Sequence, residues 1–299
     1  MSSLPDGVTQ RPLRQDDAAQ VAELLEEYER SLGHKPSISE QDVRSWWLRT
    51  KLDEDSWLLE EDGAALGGGW LDRLDEFAFA GAAVRPSATG RGLGSWLVEH
   101  FEEHARANGI PLLRQMTMAN DKAAQELFEA RGYREARRHW EMAIDLEEEP
   151  PAPEPPEGVV VGTFREEEAR EFHDATKEAF ADEWGFQALP FEEWWNMRKD
   201  DDQSLWFVIR DGERIVAYAR CEPGLGGGYV GMIGTRKAWR RRGLGLALLQ
   251  HAFREFYDRG IRRVTLGVDS ENASGATRLY ERAGMHVESE SVTFEKELT

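Results

Sequence analysis

Apolar positions in this chain follow two periods, and those periods alternate in the same order twice. Val21, Leu24, Leu25 and Tyr28 stand three or four residues apart, the spacing that gives a helix one apolar face. Phe172, Ala175, Ala179 and Phe180 repeat that spacing in the second half. Each stretch follows a short strand, Val8 to Arg11 or Val159 to Phe164, and opens on acids that suit a helix N-terminus. Apolar runs then flank Asp62-Gly63 and Asp211-Gly212, and Asp-Gly between such runs predicts a hairpin turn. The next strand, Tyr229 to Thr235 in the second half, leads into a long helix. Leu244, Leu248, Ala252 and Phe256 form one face of it, as Leu93, Leu97, Phe101 and Ala105 do in the first half. A further strand (Leu112 to Met118, or Val264 to Val268), a short helix (Lys122 to Arg131, or Ser274 to Ala283) and a final strand close each half. Gly132 and Gly284 stand where a helix C-terminal cap needs a left-handed residue.

The halves therefore read as two copies of one mixed α/β unit. Gly92 corresponds to Gly243, Gly109-Ile110 to Gly260-Ile261, Asn120 to Asn272, Phe128 to Tyr280 and Gly132 to Gly284. Between them, Asp145 to Gly158 is dense in proline and glutamate, the composition of an extended, semi-rigid linker. The expected organisation is an N-terminal domain over 1–146, a linker over 147–158 and a C-terminal domain over 159–299.

The chemistry concentrates at Arg240-Arg241-Arg242-Gly243-Leu244-Gly245, between a strand and a helix. Glycines there let backbone approach a ligand closely. The first helical turn, through Leu246, offers unpaired N–H groups and the positive end of the dipole. With three arginines beside it, this predicts a pyrophosphate cradle. Gly90-Arg91-Gly92-Leu93-Gly94 is the earlier copy, and the second copy is the more complete.

These residues resemble the GNAT superfamily of N-acetyltransferases, present as a tandem pair. The family's acetyl-CoA signature is Arg or Gln, two residues, Gly, one residue, Gly or Ala, and Arg240, Gly243 and Gly245 match it. The stretch Val264 to Met285, with Asn272 and Leu279-Tyr280-Glu281, is similar to the second signature. The resemblance covers nearly all of 8–146 and 159–298. It implies two α/β (mixed α+β) folds, each a mostly antiparallel sheet flanked by helices, and acetyl-CoA as cofactor. It implies that Ile233, Gly234 and Thr235 line the pantetheine arm, that an amide there polarises the thioester oxygen, and that amides from Arg241 to Leu246 hold the pyrophosphate. Asn272 would lie beside the pantetheine, and Tyr280 would protonate the departing thiolate after direct attack by a neutral amine. The first copy has Thr89 in place of Arg240 and Phe128 in place of Tyr280. It keeps Val84, Gly90, Arg91, Gly92, Leu93, Gly94 and Asn120, a candidate second cofactor site without the acid, and is expected to be catalytically degenerate. Tandem pairs with a competent second half also resemble mycothiol synthases, which acetylate the cysteine amine of a pseudodisaccharide. A non-catalytic CoA-binding sensor is the alternative from another class. The fused pair implies a monomer of pseudo-twofold character.

An amine nucleophile must lose a proton, and Glu222 is the first candidate base, with Asp182 and Glu183 next. Phe180, Trp184, Phe186, Phe191, Trp194 and Trp195 interleave with acids where the family places the acceptor, which suits a small-molecule amine. Asp182, Glu183, Trp184 and Trp194 are the candidate substrate residues, and packing is the expected role of at least half of the aromatics. The formal net charge of −20 disfavours nucleic acid as a partner. No apolar run reaches membrane-spanning length, and the first residues lack the pattern of a secretion signal. The single cysteine, Cys221, fits a reducing cytoplasm and reads as packing. No metal-ligand set is expected.

Overall fold

The computed structural model describes residues 3–298 apart from 75, 154, 225, 273 and 274. Ser274, where the sequence places the start of the short second-half helix, therefore lies outside the described residues. The chain divides into two compact units: one takes in the chain up to His139 and again from Ser289 onward, the other runs Trp140–Glu288.

The first unit contains β1 (Thr9–Arg11), α1 (Ala18–Ser31), α2 (Glu40–Trp46), α3 (Leu52–Asp55), β2 (Ser56–Glu61), β3 (Ala64–Arg73) and β4 (Ala78–Val84). It continues with α4 (Leu93–Ala107), β5 (Leu112–Met118), α5 (Lys122–Ala130) and the start of β6 (Arg134–Asp145). The second unit contains β7 (Val161–Thr163), α6 (Ala169–Phe180), α7 (Phe191–Asn196), β8 (Trp206–Asp211), β9 (Arg214–Gly224) and β10 (Gly227–Thr235). Then come α8 (Leu244–Asp258), β11 (Arg263–Asp269), α9 (Ala276–Arg282) and the start of β12 (His286–Glu297). Among the described residues, no helix is long and apolar enough to cross a membrane.

Each unit is a sheet with helices on both faces. The strand order is β1-β2-β3-β4-β5-β12 in the first and β7-β8-β9-β10-β11-β6 in the second. Pairing is antiparallel from β1 to β4 and from β7 to β10, while β4–β5 and β10–β11 are parallel. The first hairpin turns at Asp62-Gly63 as expected, while the second turns one residue later, at Gly212-Glu213, because Asp211 pairs with Arg214 at the end of β8. Asp62 and Gly63 both take positive φ, 51° and 80°, as a type I′ turn requires. The apolar face of α8 is buried against Phe207, Ala217, Val230 and Val264, while α6 covers the other face through Phe172 and Ala175 on Trp206, Val208 and Tyr218. In the first unit α4 and α1 do the same. Gly132 and Gly284 end α5 and α9 at φ 82° and 94°, with the Tyr133 and Met285 amides donating back to the Phe128 and Tyr280 carbonyls at 3.0 Å. Cys221 is fully buried against α8 and burial pushes its thiol up, so it is packing rather than nucleophile.

The final strands depart from the expected plan, in which each half closes its own sheet. β12 pairs with β5 in register from Ser291↔Met118 to Glu297↔Leu112, and Val292 and Phe294 are buried in the first unit's core. β6 takes the corresponding place beside β11, with Met142 and Leu146 in the second unit's core. Both strands carry a polar first half and an apolar second half. The apolar half of each is buried in the unit that the rest of its sequence copy does not build.

Gly227 is a point where backbone packing forbids a side chain. Its φ is 136°, and a Cβ there would overlap the Arg263 carbonyl oxygen on β11. Gly227→Ala is expected to destabilise by about 2–4 kcal/mol, combining dihedral strain with overpacking. The denaturant midpoint should fall at unchanged m-value.

Candidate active site in the second unit

The site begins where two strands part. β10 pairs with β11 at Gly228↔Val264 and Tyr229↔Thr265 and, among the described residues, no further, while its pairing with β9 runs on to Thr235. The register on β9 shifts between Val230 and Met232, leaving Gly231 as a bulge. Beyond Tyr229, β10 therefore offers one edge of backbone N–H and C=O groups to a wedge-shaped opening. Ile233, Gly234 and Thr235 lie on that stretch. An extended amide-bearing chain such as pantetheine can pair there as an added strand would.

Past the wedge, the chain enters the cradle. Arg241 has φ 60° and Gly243 φ 80°, with α8 starting at Leu244. Alternating left-handed residues turn successive N–H groups to one side, making an anion nest that the helix dipole reinforces. Arg241 and Arg242 are exposed beside it. Arg240 does something else: its Nε donates to the Thr235 carbonyl at 3.2 Å and its Nη2 to the Ala179 carbonyl at 2.8 Å. It ties the end of β10 to the end of α6 and so fixes the loop. Gly245 serves packing, since a Cβ would stand 2.8 Å from Leu279 Cδ2 on α9.

A non-glycine residue in the left-handed region costs roughly 1–2 kcal/mol. Arg241→Gly is expected to raise stability by up to about 1 kcal/mol once the added unfolded-state freedom is deducted. It should weaken binding of acetyl-CoA through the lost charge, and a melting curve with and without acetyl-CoA reads both effects.

Tyr280 lies on α9 and is only 6% exposed. Burial raises its phenol above the ordinary value, and the charge of Glu183 and the neighbouring Tyr229 add to the effect. It therefore stays protonated at neutral pH and can donate. Glu183, in the loop after α6, accepts a hydrogen bond from Asn272 Nδ2 at 3.0 Å. The fold thus brings together Glu183, Asn272 and Tyr280, which the sequence named separately. Asp182 is placed elsewhere, exposed and paired with Lys237 at 2.6 Å, whose contact lowers its carboxyl below the usual value. Trp184 is half-buried on the same loop. Trp194 is packed into the α6 face, stacked on Phe172 at 6.1 Å and near His173 at 5.3 Å.

Glu222 sits on β9 opposite Tyr229. Arg220 Nη1 lies 3.4 Å from Glu222 Oε2. A Cβ on Gly231 would stand 2.8 Å from Arg220 Nη2 and 3.0 Å from Glu222 Oε1, so both charged groups lie over the bulge. Sequence reasoning did not single out Arg220 or Tyr229, which the register places beside Glu222. Arg220 had a signal: two residues from Glu222 on a strand, it had to share its face.

The first unit has the same frame with different contents. β4 leaves β5 after Ala80↔Gln115, and Gly90 and Gly92 take φ 77° and 83°. Arg91, however, is held bidentately by Glu61 at 3.0 and 2.5 Å, which neutralises the loop's arginine. Thr89 Oγ1 donates to the Pro86 carbonyl at 2.8 Å, and Asn120 Nδ2 donates to the Leu32 carbonyl at 2.9 Å. Leu93 is buried in the core, and Val84 ends β4. Phe128 packs against Tyr133 and Phe294. Trp70, the register counterpart of Arg220, covers Gly81 and stacks with Trp46 at 6.0 Å. The β4–β3 register runs without a bulge.

Among the described residues there is no group of His, Cys, Asp and Glu able to hold a metal ion. The wedge, the nest and the exposed Arg241 and Arg242 fit acetyl-CoA, which supplies an activated acetyl thioester when bound.

The sequence model of the acetyltransferase (GNAT) family matches residues 19–133 and 164–285. The mycothiol acetyltransferase of Catenulispora acidiphila is 27% identical over 99% of this chain and 100% of its own length. The crystal structure of a GCN5-related N-acetyltransferase from Sphaerobacter thermophilus is 34% identical, with TM-score 0.85, covering 99% of this chain and 97% of that one. A tandem GNAT protein from the clavulanic acid biosynthesis pathway shares the fold at 18% identity and TM-score 0.74, over 98% and 99% of the two chains. The chain belongs to the GNAT acetyltransferase family, and carries that family's fold twice.

Proposed function

We propose that the second unit transfers acetyl from acetyl-CoA to the primary amine of a small molecule by direct attack, and that the first unit does not turn over by this route. The observation that carries this reading is Tyr280, a buried phenol kept protonated beside the wedge, where the first unit has Phe128. In this account Glu222 takes the proton of the incoming ammonium, directly or through a water. A backbone amide of β10 beyond the bulge polarises the carbonyl. Tyr280 gives its proton to the departing sulfur. Arg241, Arg242, Leu246 and the Gly243–Gly245 turn hold the pyrophosphate, and Asn272, held by Glu183, flanks the pantetheine.

A second, narrower reading is favoured by one observation, the full-length similarity to a protein named mycothiol acetyltransferase. In that reading the acceptor is the cysteine amine of the mycothiol precursor. The test is thiol release from acetyl-CoA across polyamines, aminoglycosides, amino acids, short peptides and that precursor. Amine-dependent release supports the transferase reading, and preference for the precursor selects the narrower one. Retained CoA binding with no release from any acceptor points instead to a CoA-binding sensor.

A further inference from the structure

Resting on the acetyltransferase reading of the second unit, we infer that Arg198 and Arg220 anchor a carboxylate carried by the amine acceptor. Arg198 follows α7 and Arg220 lies on β9. Arg198 Nη1 lies 3.5 Å from Asp201 Oδ2, and Arg220 Nη1 lies 3.9 Å from the same oxygen and 3.4 Å from Glu222 Oε2. These are loose contacts for charged partners, which close to about 2.7–2.9 Å when committed. Committed pairs occur elsewhere in the same unit: Arg236 meets Glu171 at 2.8 Å, and Arg210 meets Glu168 at 2.6 Å. All three loose contacts run through Nη1, which leaves most of each guanidinium fork for another acceptor.

Placement strengthens the case. The Arg220 side chain is only 11% exposed and that of Arg198 26%. Two half-buried like charges side by side are unfavourable, and burial together with the Arg220 charge pulls Arg198 below its ordinary value. An anion between the forks would relieve both costs. Arg220 also covers Gly231, at the bulge where the wedge opens. In the first unit that position is Trp70, and the acid beside it, Asp72, is closed off by Arg49 at 2.6 Å. Among the described residues, the second unit alone combines, at one end of its wedge, loosely held donors for an anion and a carboxylate for an ammonium. Tyr229 forms the neighbouring wall.

The experiment is calorimetric binding of matched amines to the full-length protein with CoA present: L-phenylalanine against phenethylamine, and L-methionine against 3-methylthiopropylamine. The expected result is about 10–100-fold tighter binding of the carboxylated member, the range for hydrogen bonds to charged groups. Arg220→Gln and Arg198→Gln should remove that preference and Arg220→Lys should keep part of it, each variant melting near the parent temperature. Equal binding, binding of neither member, or a preference that survives both glutamine variants overturns the inference. Thiol release with amines that lack a carboxylate, but no carboxylate preference, would sink the anchor and leave the transferase standing. Carboxylate-selective binding without thiol release from any acceptor would do the opposite.

Discussion

Tyr280→Phe is expected to lower kcat by about 10²–10⁴-fold, the usual contribution of a positioned general acid. The KM for acetyl-CoA should stay close to the parent value, because the phenol acts on the departing sulfur rather than on the nucleotide. The substitution is close to isosteric at a site 6% exposed, in a core that includes Leu244, Leu248 and Met285, so folding should survive it. The first unit gives the internal control: Phe128 occupies the same place on α5 and packs there without disturbing the fold. A kcat within a few-fold of the parent would remove Tyr280 from the mechanism and pass the proton to a water.

Deleting residues 289–299 is expected to unfold the first unit, although the sequence copy that gives it β1 to β5 remains whole. β12 pairs with β5 from Ser291 to Glu297, and Val292, Phe294 and Leu298 are buried in that unit's core. Burying each such side chain stabilises by about 1.5–3 kcal/mol. Three together approach the whole stability of a domain, about 5–15 kcal/mol. The deletion also removes Lys296, the 2.8 Å partner of the buried Glu102, and leaves that carboxylate with Arg106 at 3.1 Å as its remaining partner. Hydrogen exchange should show protection lost across α4 and β5 and kept across α8 and β10. Protection kept throughout would mean that β12 contributes little to the first unit.

The same strands mark the limit of what could be read from the chain. Helices α4 and α8 were legible because their apolar faces repeat locally, Leu93 to Ala105 and Leu244 to Phe256. The hairpins were legible from Asp-Gly and the helix ends from Gly132 and Gly284, all decided within a few residues. Partner choice by a strand is a long-range matter. β6 and β12 have similar patterns, and nothing in either says which sheet buries its apolar half. The cofactor loop divided in the same way. Gly243 and its helix start were readable, but Arg241 in the left-handed region and Arg240 bound to the Ala179 carbonyl were not. Glu183 and Asn272 meet across 89 residues of sequence, a contact that only the fold could supply. The aromatic run around Trp194 could be read as acceptor wall or as packing, with packing expected for at least half of it, and Trp194, a candidate for the former, stacks on Phe172 of α6.

The central claim is that the second unit does the chemistry. It is tested by acetyl-CoA thiol release from two variants at corresponding positions, Gly243→Val and Gly92→Val. Both glycines precede their helix at almost the same φ, 80° and 83°, so the dihedral strain is alike; at Gly243 the added Cβ also stands 3.2 Å from Pro156 Cγ, so a melting curve of each variant accompanies the assay. The account predicts that Gly243→Val abolishes amine-dependent release and that Gly92→Val retains it. Loss of release in Gly92→Val with retention in Gly243→Val would contradict it and move the reaction to the first unit.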